Sequence, residues 1–164
     1  ELPVEQQQLF RRAQGTALFI AQYRPDMMYS SKECSRGMRA PTEGDMRRLK
    51  RWTRYALGTR YVGIMMSPQW ELRNRIDSLC DSDWAKDLVN RKSTTGVVVK
   101  WGGALVSFLS KTQGTTAISV GEAEGYAMGT CAAESLGLKS LLTEMGMEVD
   151  VEIGIESDLS LIHI

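Results

Sequence analysis

The sequence has one histidine, His163, and three cysteines, Cys34, Cys80 and Cys131, far apart and without a Cys-x-x-Cys pair. Tetrahedral zinc needs a close set of Cys and His ligands, so a zinc module is excluded. An odd, scattered cysteine count supports no disulfide framework either, and the thiols read as reduced and buried, as in an intracellular chain. No apolar run approaches the roughly 20 residues that cross a bilayer; the runs at 16–21 and 61–66 are too short, and no membrane partner is expected. The opening Glu1-Leu2-Pro3 lacks the basic and apolar regions of a secretory signal and reads as part of something longer.

What is present suits a folded chain of modest size. The 164 residues are 43% hydrophobic and 24% charged, enough for one domain, or a small domain with an appended piece. The net charge of zero hides an asymmetry. Residues 1–60 carry 12 Lys and Arg against 6 Asp and Glu, whereas residues 61–164 carry 8 against 14. A basic half suits a polyanion, and an acidic half concentrates carboxylates.

The first half reads as helices. Leu9, Ala13, Ala17, Leu18 and Ile20 recur near helical spacing over Val4 to Ala21. Arg24-Pro25-Asp26 breaks that pattern, and a second helix is expected over Asp26 to Met38. Thr42 followed by Asp45 suggests a capping arrangement for a third helix, Glu43 to Ala56, with Met46, Leu49, Trp52 or Thr53, and Ala56 inward and Gly58 as its stop. Arg47, Arg48, Lys50, Arg51 and Arg54 make that helix strongly basic.

After a boundary in the Gly58 to Asn74 region the pattern becomes strand-like. Strands are expected over Arg60 to Met66, Arg75 to Cys80, Thr95 to Trp101 and Ala104 to Leu109, the last two joined by the hairpin signal Gly102-Gly103. A long helix over Gly121 to Met145 and a strand over Val149 to Glu156 follow. Three strands, a helix and a final strand describe a mixed sheet with a crossover helix.

Three carboxylates fall where sheet chemistry is often done: Asp81 after the first of these strands, Glu124 one turn into the long helix, and Asp158 after the last strand. With the outer strand parallel to the first, Asp81 and Asp158 share one sheet edge, and a helix across it can add a carboxylate. Clustered carboxylates need a cation, and hard oxygen donors with open water positions favour Mg²⁺. Spacing does not decide between Glu122 and Glu124, which lie about 200° apart around the helix.

The motifs carry a family likeness. Tyr23-Arg24-Pro25-Asp26 is similar to a Thr-Arg-Pro-Asp segment, and Pro41-Thr42, Leu49-Lys50-Arg51-Trp52 and Arg54-Tyr55-Ala56-Leu57-Gly58-Thr59 resemble the stretches that follow it. Asp81-Ser82-Asp83-Trp84-Ala85 resembles Asp-Ala-Asp-Trp-Ala, Arg91 to Gly96 resembles Arg-Arg-Ser-Thr-Ser-Gly, Ser107 to Gln113 resembles Ser-Trp-x-Ser-Lys-Lys-Gln, and Glu122-Ala123-Glu124 matches Glu-Ala-Glu. In this order, from Tyr23 to Asp158, they resemble the end of the reverse transcriptase region and the ribonuclease H domain of Copia-type retrotransposon Pol polyproteins.

The resemblance implies an α/β fold, a ribonuclease H-like mixed sheet with a crossover helix, over residues 61–164, behind a helical connection segment over residues 1–60. It implies hydrolysis of the RNA strand of an RNA–DNA hybrid. Asp81, Glu124 and Asp158 would hold two Mg²⁺ or Mn²⁺ ions about 4 Å apart, with Asp83 a neighbour. Arg47, Arg48, Arg51 and Arg54 would contact phosphates, the reverse transcriptase region would be the preceding partner, and the expected location is a cytoplasmic particle or the nucleus. Three departures stand out. Gly125 replaces a Tyr, with Tyr126 one place on; Asp45 stands where the family has His; and beyond Asp158 the fourth acidic ligand has no counterpart. The last departure sets a second expectation, an inactive remnant that binds nucleic acid or is purely structural.

Overall fold

The computed structural model describes residues 1–87, 89–147 and 150–157. The chain forms two compact units, Glu1–Met65 and Met66–Ile164.

The first unit consists of helices α1 (Val4–Ala21), α2 (Pro25–Ser35) and α3 (Glu43–Gly58). On α1 the buried residues Phe10, Gln14, Ala17 and Ala21 recur at helical spacing and form one inward stripe. Proline opens α2, where its missing N–H costs nothing. That helix ends sooner than its sequence suggests, because Arg36–Met38 tightens into a 3₁₀ turn. A Cβ on Gly37 would lie 2.6 Å from Asp45 Cγ, so only glycine lets this turn approach the start of α3. There Thr42 and Asp45 form a reciprocal capping box: the Asp45 carboxylate accepts from the Thr42 N–H at 2.9 Å, and the Thr42 hydroxyl accepts from the Asp45 N–H at 3.3 Å. Phe10, Ala17, Met27, Leu49 and Trp52 make the core, Trp52 rather than Thr53 taking the inward position. Arg24 grips Asp26 with two hydrogen bonds and reaches Thr59 O, while the Tyr55 hydroxyl donates to Asp26, tying the α1–α2 corner to the end of α3.

In the second unit, β1 (Arg75–Asp83), β2 (Thr94–Trp101), β3 (Ala104–Thr112) and β4 (Glu152–Ser157) form one sheet in the order β3-β2-β1-β4. The first three strands are antiparallel neighbours, and β4 runs parallel to β1 after the crossover through α4 (Val120–Glu144). Gly102 and Gly103 turn the hairpin with φ of 55° and 77°, values that side-chain-bearing residues avoid. Ile76, Cys80, Val97 and Val99 pack from the sheet against Ala127, Cys131 and Leu142. This mixed sheet with its long covering helix is consistent in general terms with a ribonuclease H-like α/β fold.

Arg60–Met66 forms no strand. Its alternation of apolar residues has no sheet to enter, and Tyr61 and Met65 remain 85% and 89% exposed. β1 and β3 run three residues further than expected, to Asp83 and Thr112. Val149, placed in the last strand by its sequence, lies outside the described residues. All three cysteines are buried and free. Among the described residues no helix is long and apolar enough to cross a membrane.

Candidate functional site

The start of α4 separates its two acidic residues. Ser119 caps the helix by accepting from the Glu122 N–H at 3.1 Å. Glu122 turns back to accept from the Ile118 N–H at 2.7 Å and from the Tyr126 hydroxyl at 2.9 Å, so its carboxylate closes the helix end. Glu124 turns inward and is only 4% exposed. A Cβ on Gly125 would meet nothing within 4 Å, so the residue beside Glu124 fills no structural space, and Tyr126 is held by Glu122.

Glu124 sits at the carboxyl ends of β1 and β4 and is bound to both. Its Oε1 accepts from the Ser82 hydroxyl at 2.6 Å and the Ser82 N–H at 3.2 Å, and its Oε2 accepts from the Ser157 hydroxyl at 3.2 Å. Hydrogen bonds to a charged acceptor are the strong ones, so this carboxylate staples helix to sheet. Gln113 adds a brace nearby: its side-chain amide donates to Thr95 Oγ1 at 3.0 Å and to Ala123 O at 2.8 Å.

Strand alternation decides which residues of β1 can join Glu124. Ser78 meets Ser135 of α4 at 2.7 Å, Cys80 lies against Cys131, and Ser82 meets Glu124, so this series faces α4. The alternate series, Asp77, Leu79 and Asp81, faces the other way. Asp81 is exposed there, paired across the ladder with Gly96. Asp83 makes an ion pair with Lys86 at 2.5 Å. Asp81 and Glu124 are thus not brought together, and Asp158 lies outside the described residues. No group of three or more His, Cys, Asp or Glu among the described residues could hold a metal ion. Ser82 and Ser157 were not legible as site residues from motifs, though the phase of Ser82 with Ile76, Ser78 and Cys80 was a usable signal.

Burial pushes the Cys131 thiol up to about 11, with the adjacent Cys80 adding to the effect. A thiol that stays protonated is a packing group, not a nucleophile.

On α3, Arg47, Lys50, Arg51 and Arg54 are exposed on the side away from Leu49 and Trp52. Arg48 is held by Asp45 at 3.0 Å and Arg47 lies 3.7 Å from Glu43. Arg51 and Arg54 form no ion pair among the described residues.

The chain is 34% identical over 140 residues to the retrovirus-related Pol polyprotein from transposon RE1 of Arabidopsis thaliana, covering 85% of this chain and 9% of that protein. It is 33% identical over 140 residues to the Pol polyprotein from transposon RE2 of the same plant, covering 85% of this chain and 10% of the relative. An uncharacterized mitochondrial protein of Arabidopsis thaliana is 34% identical over 125 residues, 76% of this chain and 51% of its own length. The chain therefore spans about a tenth of the polyproteins and half of the mitochondrial protein. No family model matches the chain, and no solved structure matches it.

Proposed function

We propose, from the homology of most of this chain to plant retrotransposon Pol polyproteins, that it is a Copia-type ribonuclease H segment that no longer hydrolyses RNA and serves as a nucleic-acid-binding or structural module. Residues 1–60 would be the end of the reverse transcriptase region and residues 61–164 the ribonuclease H-like part.

The observation that carries this reading is the bonding of Glu124. A two-ion nuclease needs several carboxylates aimed at one point, so that the ions hold the attacking and the leaving oxygens. Here the helix carboxylate is bound by the hydroxyls of Ser82 and Ser157, and the β1 aspartate matched by motif alternates to the opposite sheet face. Among the described residues, the helix and the strands are joined at Glu124 by the hydroxyls of Ser82 and Ser157. Binding then falls to the basic face of α3, where Arg51 and Arg54 would meet the phosphates of an RNA–DNA hybrid, giving affinity without sequence discrimination.

The competing reading is Mg²⁺- or Mn²⁺-dependent hydrolysis of the RNA strand. It is favoured by Glu124 itself, a buried carboxylate at the ends of two parallel strands in a matching Glu-Ala-Glu motif. A labelled RNA–DNA hybrid incubated with the chain and either ion separates the two. Retention of hybrid without cleavage is expected, and cleavage that Glu124→Gln abolishes would overturn the inactive reading.

A further inference from the structure

We propose that the cleft between residues 68–73 and the β2–β3 turn binds one unstacked base of a single-stranded nucleic acid, with Trp70 as its stacking platform and Arg73 at its phosphate. The inference rests on the nucleic-acid-binding reading above and adds a second contact surface, on the sheet unit.

The cleft is a built feature. The Gln69 N–H donates to Gly102 O at 2.7 Å, and the Trp101 indole N–H donates to Arg73 O at 2.7 Å, so the segment is fastened to the hairpin at two points. A Cβ on Gly102 would lie 3.4 Å from Gln69 O, and the positive φ of that glycine lets the two backbones meet. Trp70, in the 3₁₀ turn Trp70–Leu72, is left 68% exposed. The Arg73 guanidinium lies over one face of the Trp70 ring, 5.0 Å from its centroid, so a base would stack on the opposite face. Among the described residues Arg73 has no ion-pair partner.

The lining selects the ligand. Pro68, Trp70 and Trp101 offer apolar surface, and Arg73 supplies the one charge. Trp101 has already given its only donor to Arg73 O, so it presents ring surface and no hydrogen bond. Gln69 and Arg73 can donate to a peptide carbonyl as well, but the full charge of Arg73 is matched by a phosphate and not by a neutral peptide backbone. A nucleotide asks for an aromatic face for the base and a cation for the phosphate, and both are here. The cavity measures about 170 Å³. That is well below the ~300 Å³ lower limit of drug-sized pockets and on the scale of a single ring system.

The test uses the full 164-residue chain and a fluorescein-labelled 15-nucleotide oligothymidylate, read by anisotropy at fixed salt. Trp70→Ala, at an exposed position, should lower the affinity about tenfold, in line with the loss of one stacked base. Arg73→Gln should weaken binding and lower the salt slope by about 0.7, one phosphate contact on a single strand. The wild-type protein gives a reading that needs no variant: stacking on Trp70 should quench tryptophan emission at saturation. Binding that Trp70→Ala leaves unchanged, or saturation without quenching, overturns this inference and leaves the α3 reading standing. Failure of the wild type to bind either oligothymidylate or an RNA–DNA hybrid defeats the nucleic-acid-binding reading as well and leaves only the structural one. Trp70-dependent binding of a polyproline peptide in place of the oligonucleotide overturns the choice of ligand.

Discussion

The Ser82 hydroxyl donates to Glu124 Oε1 at 2.6 Å and thereby joins the end of β1 to the first turns of α4. The contact crosses the sheet–helix interface, and the Ser82 N–H reinforces it at 3.2 Å. Ser82→Ala should therefore destabilise the chain by about 1.5–3 kcal/mol, the usual cost of removing a hydrogen bond to a charged group. Ser157→Ala should cost less, since its bond is longer, at 3.2 Å, and made from the edge strand β4. Urea unfolding of both variants checks the ranking; equal or negligible losses would mean the serines do not hold the helix.

Asp45 gives a pH-dependent contribution. Burial alone would raise its carboxyl, but the hydrogen bonds from Thr42 and the charge and hydrogen bond of Arg48 outweigh that and hold it below the usual carboxylate range. A group depressed in the folded state contributes stability above its unfolded value, about 3.9, and loses it as pH falls through the folded value. At pH 7, Asp45→Asn should be about 0.5–2 kcal/mol less stable than wild type, the range for a helix cap. The gap should narrow below about pH 4. Thermal melts of both proteins from pH 7 into acid decide it, and a gap independent of pH would show that the charge on Asp45 is irrelevant.

Much of the fold could be read from local chemistry, because each signal is settled within a few residues. Proline at Pro25, the Thr42–Asp45 pair and Gly102-Gly103 mark helix starts and a hairpin through backbone geometry alone. Arg60–Met66 misleads because alternation says a segment can lie on a sheet, not that a partner strand exists for it. The candidate site is harder for the same reason. A motif match pairs Asp81 with Glu124, yet which side of β1 faces α4 is set by packing at Ser78 and Cys80, and a shift of one residue reverses every side chain. Glu122 and Glu124 point about 200° apart around α4, and which of them faces the sheet is set by contacts that spacing does not show: Ile118 and Tyr126 claim Glu122, and Glu124 is left to the strands.

The basic face of α3 makes a ranked prediction. Arg48 is engaged by Asp45 and Arg47 lies near Glu43, whereas Arg51 and Arg54 are exposed and free of ion pairs among the described residues. Replacing both Arg51 and Arg54 with Gln should weaken hybrid binding across all sequences and lower the salt slope by about 1.8, on a value near 0.9 for each phosphate contact to duplex DNA. Arg48→Gln should change the slope little. Anisotropy titrations at several salt concentrations supply the slopes, and an unchanged slope in the double variant would reduce this helix to a solvated surface.

Strand phase also allows a second carboxylate to be set beside Glu124. Ser82 already faces Glu124, so Ser82→Asp would set a second carboxylate against it, something Asp81 cannot do from the other side of β1. Without a cation the two like charges repel, and the variant also lacks the Ser82 hydroxyl bond, so its melting temperature should fall below that of wild type. Added Mn²⁺ or Mg²⁺ should then raise it, because an ion that binds only the folded state stabilises by mass action, by about 2.7 kcal/mol when present at 100 times its dissociation constant. Wild type should show no comparable shift, and Asp81→Asn should leave its response to divalent ions unaltered, since Asp81 lies on the far face. Melts of the three proteins across a series of ion concentrations test the whole argument. A strong ion-dependent shift in wild type that Asp81→Asn removes would put Asp81 back beside Glu124 and reinstate the nuclease reading. A Ser82→Asp variant indifferent to ions would show that strand phase alone does not prevent a metal centre here.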